Sequence, residues 1–532
     1  MRIAVALFTL VAVMIAAAWS WLGVAVEMPQ APTGLGAKLD CVSYAPFRGD
    51  QNPLGPATVV EPWQIEEDLA QLKPLTGCIR TYSIDHGLDK IPEIAKRHGM
   101  KVLHGLWLSS LPDLNHRQIS TTIELANRFP DVIEAIVVGN EVLLRGEMSA
   151  PDLARTIREV KAKVPMRVTY ADVWEFWLRH RDVAAAVDFI TVHILPYWED
   201  HPIPVGQAAR HVDLIRKQIV SAFPDKEIFV GEFGWPSQGR MREGALPSPV
   251  NAARVLQEVV AQGKRENYRV NLIEAYDQPW KRKLEGTVGG YWGLYDAYER
   301  KAKFVWGAAV SNFPNWRWQA AGGIAFAALV FAAAVAASRR HPLHLRLWLA
   351  VAANAVVSGI LIGWTIRNTP IESLTAIDWT RSLSWALVAF AAPIVGAAAI
   401  ATGTGVPSFA IMLGRRAETP RNPIGFALGG LLIILVVLAV QAALGLVFNS
   451  RYRDFPFTAL TAATFPFVVL MTAWPTRKNV RPNAETVAAT VLALCAVTIA
   501  LAETFANWQA LWFCAALVAL AFSLLPGRVV PG

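Results

Sequence analysis

The 532-residue sequence predicts a (β/α)8 barrel of the α/β class, preceded by a membrane anchor and followed by an α-helical transmembrane bundle. Composition is the first observation behind this prediction: hydrophobic residues make up 54% of the chain and charged residues only 17%, against about 25% in ordinary globular proteins. The second observation is that apolar, β-rich runs alternate with helical patterns between residues 39 and 317. Eight such alternations over about 270 residues are typical of a barrel of parallel strands.

The first 38 residues predict an anchor and a linker. Residues 3–26 carry no charge, so residues 1–26 are predicted to be a retained transmembrane anchor. A cleaved signal peptide is the alternative, although no clear small-residue cleavage site precedes the polar region. Residues 27–38 contain two prolines and two glycines and predict a linker. Both alternatives export the region that follows.

Residues 39–317 predict the barrel. Strands are expected at residues 41–46, 78–82, 101–107, 134–139, 167–171, 187–193, 227–232 and 270–275, and helices at 61–75, 87–98, 116–129, 151–164, 174–185, 204–222 and 248–264. A doubly wound open sheet is the alternative, but it usually has a glycine-rich phosphate loop after its first strand. Residues 41–47 contain no glycine, which favours the barrel.

Residues 318–532 predict a bundle of about seven transmembrane helices. The long charge-free intervals are 318–338, 347–366, 382–414, 422–450, 455–476, 486–502 and 504–527. Since about 20 residues cross the hydrocarbon core, each interval fits one span, with 486–502 the weakest and Pro407 in a loop. The spans contain almost no ionisable residue, which argues against a transport pathway and favours an anchoring or partner-binding bundle.

The charge distribution excludes a nucleic-acid partner and orients the bundle. Residues 319–532 contain 14 Lys and Arg and 6 Asp and Glu, which accounts for the whole net charge of +8 and leaves the barrel region neutral. A basic nucleic-acid-binding domain would show the opposite distribution. With a cytoplasmic N-terminus, 11 loop Lys and Arg residues lie inside and 4 outside, so the positive-inside rule places the barrel outside the cytoplasmic membrane.

Two glutamates end predicted strands of the barrel. Glu141 follows strand 4 and Glu232 ends strand 7, and the carboxyl ends of barrel strands form the rim where chemistry occurs. A carboxylate after a buried strand is costly unless it is paired or used. Two on one rim form the pair that glycoside hydrolysis requires, whereas a helix cap or a rim salt bridge is the structural alternative for either one alone.

Aromatic residues cluster at the same predicted strand ends. They are Tyr44, Tyr82, Trp107, Tyr170, Tyr197, Trp235, Tyr276 and Trp292. Aromatic planes stack on the apolar faces of sugar rings, although any single one is as easily explained by packing. As a set they predict a sugar-binding cleft.

Residues 39–312 resemble glycoside hydrolase family 17, whose members act on β-1,3-glucans and related β-glucans. The most specific motif is Gly231-Glu232-Phe-Gly-Trp-Pro-Ser237, which resembles the nucleophile segment of that family, and Gly139-Asn140-Glu141 resembles its acid/base segment. Further similar segments are Ser43-Tyr44, Ile79-Arg80-Thr-Tyr82, Glu274-Ala-Tyr-Asp277-Gln278-Pro-Trp-Lys281 and Tyr291-Trp292-Gly-Leu-Tyr295. Gln278 departs from the pattern, because the family often has an acidic residue there, and this bears on glutamate pKa values and linkage preference.

The resemblance implies a retaining mechanism without a cofactor or a metal. Glu232 would be the nucleophile and Glu141 the acid/base, with a raised pKa that keeps it protonated before attack. Asn140 would bind the sugar 2-hydroxyl, and Arg80 and Tyr170 would lie near the nucleophile and keep it ionised. The remaining substrate-binding residues are expected to be Tyr44, Tyr82, Tyr197, Trp235, Glu274, Asp277, Gln278, Lys281 and Trp292.

The architecture favours a β-1,3/β-1,6-glucan transglycosylase in the bacterial inner membrane, with its barrel in the periplasm. Similar bacterial proteins that join this domain to membrane helices are linked with periplasmic β-glucan synthesis or remodelling. The expected partners are β-glucans, the lipid bilayer and other glucan-synthesis membrane proteins, with no nucleic acid. The alternatives are an endo-β-1,3-glucanase and a non-catalytic glucan-binding sensor, while a transporter ranks third.

Cysteine and histidine positions complete the sequence predictions. Cys41 and Cys78 start neighbouring strands and are equally consistent with a disulfide and with two buried thiols. The histidines show no metal-ligand spacing. His104 and His193 lie on strands, where polar contacts near the cleft are expected.

Overall fold

The computed structural model describes residues 2–29, 38–338, 342–414, 422–474 and 483–525. The chain forms two compact units. The barrel unit comprises Val26–Gln238 and Gly244–Val310, and the helical unit comprises Met1–Ala25, Gly239–Glu243 and Ser311–Gly532. Most of the predicted linker, residues 30–37, lies outside the described residues, as do most of the loop Arg and Lys residues predicted to lie inside.

Eight parallel strands close into a barrel in chain order, which confirms the predicted fold class. The strands are β1 Cys41–Ser43, β2 Cys78–Arg80, β3 Lys101–Leu106, β4 Ile133–Asn140, β5 Arg167–Val173, β6 Ile190–His193, β7 Ile228–Phe233 and β8 Val270–Leu272. Each lies within or overlaps one of the predicted runs. Because β1 also pairs with β8, none of these strands is left as a free edge.

Helices on the outside of the barrel follow the predicted pattern. They are α2 Pro62–Leu72, α3 Ile91–His98, α4 Pro112–Arg128, α5 Ala150–Lys161, α6 Trp174–Arg179, α7 Ala208–Ala222, α8 Pro249–Glu266 and the short α9 Arg282–Glu285. Their starts reflect local chemistry. The hydroxyls of Ser149 and Ser248 accept the free amides at the starts of α5 and α8, and a proline follows each serine within the first turn.

Two hydrophobic layers position the rim. Small and aromatic side chains fill the barrel interior, including Leu103, Val137 and Phe229, while a larger core lies between strands and helices. Cys41 and Cys78 form a disulfide inside the barrel, so of the two alternatives, a disulfide or two buried thiols, the disulfide is the one observed. It joins β1 to β2 two residues before Ser43 and Arg80, which are paired across the same two strands.

The helical unit contains the predicted apolar helices. They are α1 Arg2–Leu22, α10 Trp316–Ala337, α11 Leu345–Glu372, α12 Ala376–Thr402, α13 Phe409–Leu413, α14 Pro423–Phe448, α15 Phe457–Ala473, α16 Asn483–Glu503 and α17 Trp508–Leu524. Among the described residues, six helices are long and apolar enough to cross a membrane: α1, α10, α11, α12, α14 and α16. The apolar α15 and α17 have 17 residues each and fall short of that length. Pro407 lies between α12 and α13, outside any helix.

Close packing and two buried carboxylates characterise the helical unit. Glycines bring α10 and α11 together, since a Cβ atom on Gly323 would lie 2.2 Å from the carbonyl oxygen of Gly359. At the ends of α16, Glu485 accepts the amide of Phe409 at 2.7 Å, and Glu503 forms an ion pair with Arg240. Both carboxylates are therefore partnered and lie at helix ends, in agreement with the scarcity of ionisable residues expected inside the spans.

Candidate active site

Glu232, near the end of β7, is buried between two donors from the β2 region. Only 6% of its side chain is exposed. Arg80 Nη1 donates to Glu232 Oε1 at 2.9 Å, and the Tyr82 hydroxyl lies 2.9 Å from the same oxygen. The Tyr82 hydroxyl also lies 2.8 Å from Ser43 Oγ, and the serine hydroxyl can donate its own proton to the phenol oxygen while the phenol donates to Glu232. The predicted proximity of Arg80 to Glu232 is thus observed.

Arg80 connects three strands of the barrel. Besides Glu232 on β7, its guanidinium donates to the carbonyl of Gly231 at 2.8 Å and to Asn140 Oδ1 on β4 at 2.5 Å. Its side chain is 1% exposed. A buried guanidinium is stable only when paired and hydrogen-bonded, and here the planar fork of donors serves two different strands at once.

Glu141 follows an irregular end of β4. The pairing of β4 with β5 shifts between Val137 and Asn140, and Gly139 has a φ of 84°, which favours glycine. Glu141 itself has a φ of 51°, an uncommon conformation for a residue with a side chain. Residues in such conformations often lie at functional sites. This irregularity positions both Asn140 and Glu141 at the rim.

His193, the last residue of β6, lies between the two glutamates. Its Nδ1 is 2.9 Å from Glu141 Oε1, and its Nε2 is 3.5 Å from Glu232 Oε1. The imidazole is fully buried, whereas 23% of the Glu141 side chain is exposed. Glu232 and Glu141 therefore share one histidine but differ in their access to solvent.

The environment of Glu141 differs from the sequence expectation. Burial raises the pKa of Glu141, but the hydrogen bond from His193, together with the positive charges of Arg145 and Arg80, outweighs burial and lowers it below its usual value. The prediction of a raised pKa is therefore wrong. The physical reason is that a donor contacts the carboxylate, which stabilises its ionised form.

Glu141, His193 and Glu232 offer potential metal-ligand atoms that lie within 4.8 Å of one another. The two carboxylates lie against opposite nitrogens of one imidazole. A single metal ion bound to one of these nitrogens is therefore too far from the carboxylate at the other nitrogen to bond to its nearest oxygen. Arg80 also occupies the Glu232 oxygen that faces His193. The contacts instead form a chain of hydrogen bonds that runs from Glu232 through Arg80 and His193 to Glu141.

Tyr170 lies on the acid/base side of the site, which corrects its predicted place beside the nucleophile. Its hydroxyl donates to Asp172 and accepts the amide of Leu143 at 3.0 Å. Its ring packs on Trp177 of α6. The reason is strand alternation: the adjacent Ala171 faces the barrel interior, so Tyr170 faces the helices.

Tyr44 and Gln278, both predicted to bind substrate, bond within the protein instead. The Tyr44 hydroxyl donates to Asp68 of α2 at 3.0 Å, and its side chain is buried. Gln278 is fully buried; its amide nitrogen donates to two backbone carbonyls, and its oxygen accepts the indole N–H of Trp280. Ser43 faces the site, so the next residue along the strand, Tyr44, points to the helix layer.

Two buried ion pairs follow β8. Lys281 Nζ donates to Glu274 at 3.1 Å, and burial raises the pKa of Glu274 to about 7 although Lys281 opposes it. Lys303 donates to Asp277 at 2.5 Å, and burial raises the pKa of Asp277 to about 6 against the same kind of opposition. Glu274 and Lys281, which belong to one family-like segment, are therefore paired with each other. Asp277 instead contacts Lys303 and accepts the amide of Gly293.

Three of the predicted aromatic residues, Tyr197, Trp235 and Trp292, form a packed group with Trp198 at this rim. Tyr197 and Trp235 are at most 1% exposed and contact each other edge to face, which fits packing rather than sugar stacking. Trp292 is 4% exposed, and its ring is stacked on that of Trp198. Trp107 is the most exposed member of the predicted set, at 36%, and the Arg145 guanidinium lies 4.0 Å from its ring centre.

Several site residues were not among the predicted functional residues. They are Arg145, Asp172, His193 and Glu285, all of which influence Glu141 electrostatically. His193 carried one usable signal, its position at the end of a predicted strand. The other three are placed by loops or by side-chain direction, for which the sequence provides no comparable signal.

Comparison with known proteins finds relatives of the barrel. The family model of the BtgE/BtgC glycoside hydrolase domain matches residues 41–293. A glucan 1,3-beta-glucosidase of Arthroderma benhamiae is 30% identical over 262 residues, which cover 45% of this chain and 82% of the relative. A glucan 1,3-beta-glucosidase of Saccharomyces cerevisiae is 24% identical over 256 residues, covering 43% and 80%.

A solved structure is also similar. The glycoside hydrolase family 17 beta-1,3-glucanosyltransferase from Rhizomucor miehei is 26% identical, covers 50% of this chain and 95% of its own length, and has a TM-score of 0.44. The Arthroderma relative is matched over most of its length, and the family model spans the barrel from β1 to beyond β8. Through this barrel, the chain belongs to glycoside hydrolase family 17.

Proposed function

We propose that this protein is a retaining β-glucan transglycosylase that acts on β-1,3- and β-1,6-linked glucans and takes part in their synthesis or remodelling. One observation carries the proposal: a carboxylate oxygen of Glu141 and one of Glu232 lie within 4.8 Å of each other. Retaining enzymes place their carboxyl groups about 5–5.5 Å apart, whereas inverting enzymes need about 6.5–9.5 Å to fit a water.

The first half-reaction transfers the sugar to the enzyme. A carboxylate oxygen of Glu232 bonds to the anomeric carbon, while Glu141 gives its proton to the glycosidic oxygen as the bond to that oxygen breaks. Arg80 and Tyr82 fix Glu232 for this attack. Because Asn140 Oδ1 accepts from Arg80, its amide nitrogen is left to donate to the sugar 2-hydroxyl.

The second half-reaction decides the product. Glu141, now ionised, takes the proton of an acceptor hydroxyl as that oxygen displaces Glu232 from the anomeric carbon. A sugar hydroxyl as acceptor gives transglycosylation, and water gives hydrolysis. A β-1,3-glucanosyltransferase among the similar structures supports the first outcome. The names of the glucan 1,3-beta-glucosidases support hydrolysis as the second candidate.

The helical unit supports a place in a membrane. Six described helices have the length and apolarity of membrane spans, and their neighbouring loops carry the excess Lys and Arg of the chain. We infer a multi-pass protein of the bacterial inner membrane with its barrel in the periplasm. The bilayer and other glucan-synthesis membrane proteins are then its natural partners, and the neutral barrel suits an uncharged polysaccharide.

The test uses the full-length protein in detergent with reduced β-1,3- and β-1,6-gluco-oligosaccharides. Products are separated by mass, their linkages are determined by methylation, and the anomer released first is followed by NMR. We expect longer or branched products with the β configuration retained. If every product is shorter than the substrate, the protein is a hydrolase and the transglycosylase proposal is wrong.

The matched control is Glu232→Gln, which keeps the size and shape of the side chain and removes the nucleophile. If the wild type shows no turnover and binds oligosaccharides as the Glu232→Gln variant does, the protein is a glucan-binding sensor and the enzymatic proposal is wrong. An α product from the wild type would exclude the retaining mechanism while leaving the substrate class intact.

A further inference from the structure

His193 has a defined protonation pattern in this site. Its Nε2 lies 3.3 Å from Arg80 Nη1, and a guanidinium nitrogen can only donate. The lone pair of Nε2 therefore faces Arg80, which leaves the imidazole proton on Nδ1. A doubly protonated ring would bring a second positive charge against Arg80. The Nδ1–H group then donates to Glu141 Oε1 at 2.9 Å.

This hydrogen bond distinguishes the two oxygens of Glu141. Oε1 accepts from a fully buried imidazole that belongs to β6 and cannot follow the substrate. Oε2 has no such donor among the hydrogen bonds to described residues, and the part of Glu141 that reaches solvent is 23% of the side chain. The oxygen held by His193 is a poor site for a proton, because a donor already occupies it.

We propose that His193 is a positioning residue for the acid/base: its Nδ1–H holds Oε1 of Glu141, so that Oε2 alone gives the proton to the leaving oxygen and later takes one from the acceptor. The inference rests on the proposed function, since it concerns the acid/base of that reaction. In the first step the Oε2–H bond breaks as the glycosidic oxygen gains the proton. In the second step the acceptor's O–H proton goes to Oε2, and His193 keeps its own proton throughout.

Other charged groups also act on Glu141, and the test must separate them from His193. Arg80 on β2 and Arg145 after β4 favour the ionised form. Asp172 on β5, Glu285 on α9 and Glu232 on β7 are the acidic groups facing this site. All five remain in place when only residue 193 is changed.

Two amide substitutions separate the two ring nitrogens. The amide nitrogen of asparagine can take the place of Nδ1, whereas that of glutamine reaches the place of Nε2. His193→Asn therefore keeps the donor to Glu141, and His193→Gln loses it with the same functional group and similar polarity. Both full-length variants are compared in detergent, with thermal unfolding and near-UV circular dichroism as checks of folding.

The first measurement is the pH dependence of kcat/KM with gluco-oligosaccharides, which reports the free enzyme. Because the pKa of Glu141 is lowered, wild-type Glu141 loses its catalytic proton at acidic pH. Without the donor the pKa of Glu141 rises, so the alkaline limb moves to higher pH by about one unit in His193→Gln. In His193→Asn, the alkaline limb is expected to stay within about 0.3 pH unit of its wild-type position. At the pH optimum, this variant should be at least tenfold more active than His193→Gln.

The second measurement uses a 2,4-dinitrophenyl β-laminarioligoside, whose leaving group needs no proton. The rate of the dinitrophenolate burst should fall by no more than about threefold in His193→Gln, because that step needs the nucleophile Glu232 but no proton from Glu141. A burst reduced as strongly as oligosaccharide cleavage, or equal pH profiles for the two variants, would overturn the inference and give His193 a packing role. Absence of wild-type turnover with every substrate would instead contradict the proposed function, and with it this inference.

Discussion

The two glutamates of the site occupy different surroundings. Glu232 is 6% exposed and held by a guanidinium and a phenol from the β2 region, so its charge is compensated before substrate arrives. Glu141 is 23% exposed, lies in an uncommon backbone conformation and is held by one imidazole. A fixed charge suits a nucleophile, and a more accessible carboxyl suits a group that must gain and lose a proton. The surroundings, more than the residue type, separate the two roles.

Replacing Glu232 should have the largest effect. Glu232→Gln removes the atom that bonds to the sugar, so we expect kcat for oligosaccharides to fall by at least about 10⁴-fold. Glu141→Gln is the comparison, since it should impair oligosaccharides but spare the first step with a 2,4-dinitrophenyl glycoside. Single-turnover kinetics on both substrates provide the measurement. Equal losses for the two variants on the activated substrate would contradict the division of roles.

Replacing Arg80 comes next. Arg80→Lys keeps the charge, but one ammonium cannot contact both Glu232 and Asn140 in the geometry of the guanidinium fork. We expect kcat/KM to fall by about 10²- to 10³-fold. Arg167→Lys serves as the matched control, because Arg167 forms an exposed ion pair with Glu227 on the same barrel. A loss below tenfold for Arg80→Lys would mean that positive charge alone fixes the nucleophile.

A smaller effect should follow from removing single hydroxyls. Tyr82→Phe deletes one hydrogen bond to Glu232, and we expect a loss of about 10- to 50-fold in kcat/KM. Tyr170→Phe deletes a hydroxyl that contacts Asp172 and the Leu143 amide instead. Its effect on a dinitrophenyl substrate should therefore be smaller than that of Tyr82→Phe. The reverse order would restore the sequence-based placement of Tyr170 beside the nucleophile.

The smallest effect on rate should come from the disulfide. Cys41 and Cys78 are 37 residues apart, and a cross-link of this span stabilises the barrel by about 3–4 kcal/mol in the chain-entropy model. Dithiothreitol should lower the denaturation midpoint of the full-length protein and leave kcat nearly unchanged at moderate temperature. The Cys41→Ala/Cys78→Ala variant should not respond to dithiothreitol. A large loss of kcat on reduction, without unfolding, would show that the bond also shapes the rim.

The sequence allowed the fold and the centre of the site to be predicted for a simple reason. Parallel barrel strands bring their carboxyl ends to one rim, so Glu141 and Glu232 could be placed together from their positions at strand ends. The places of Arg80 and Asn140 beside them came from the family resemblance. Alternation along a strand explains which neighbours were wrong. Arg80 and Tyr82 are two residues apart and both contact Glu232, whereas Tyr44 directly follows the site-facing Ser43 and faces α2.

Other features depend on tertiary structure. The shift of β4 against β5 and the positive φ of Glu141 decide where that side chain points, and no run of residues predicts them. The pKa of Glu141 depends on His193, which lies 52 residues further along the chain. Gln278 and Asp277 belong to the family-like motif, yet both are directed into loop contacts. The motif identifies which segment of the chain lies at the site, but the role of each residue in it follows from the contacts of its side chain.

The contacts of Arg80 have a consequence for how the barrel is assembled during synthesis. Arg80 emerges 152 residues before its partner Glu232, and 60 before Asn140. Until β7 is in place, the Arg80 guanidinium has no carboxylate to neutralise it. Burying it in a partly formed barrel therefore costs free energy. We therefore expect the rim to form in one cooperative, late step, with no catalytically active half-barrel along the way. Appearance of activity in a refolding experiment would thus report completion of the whole barrel.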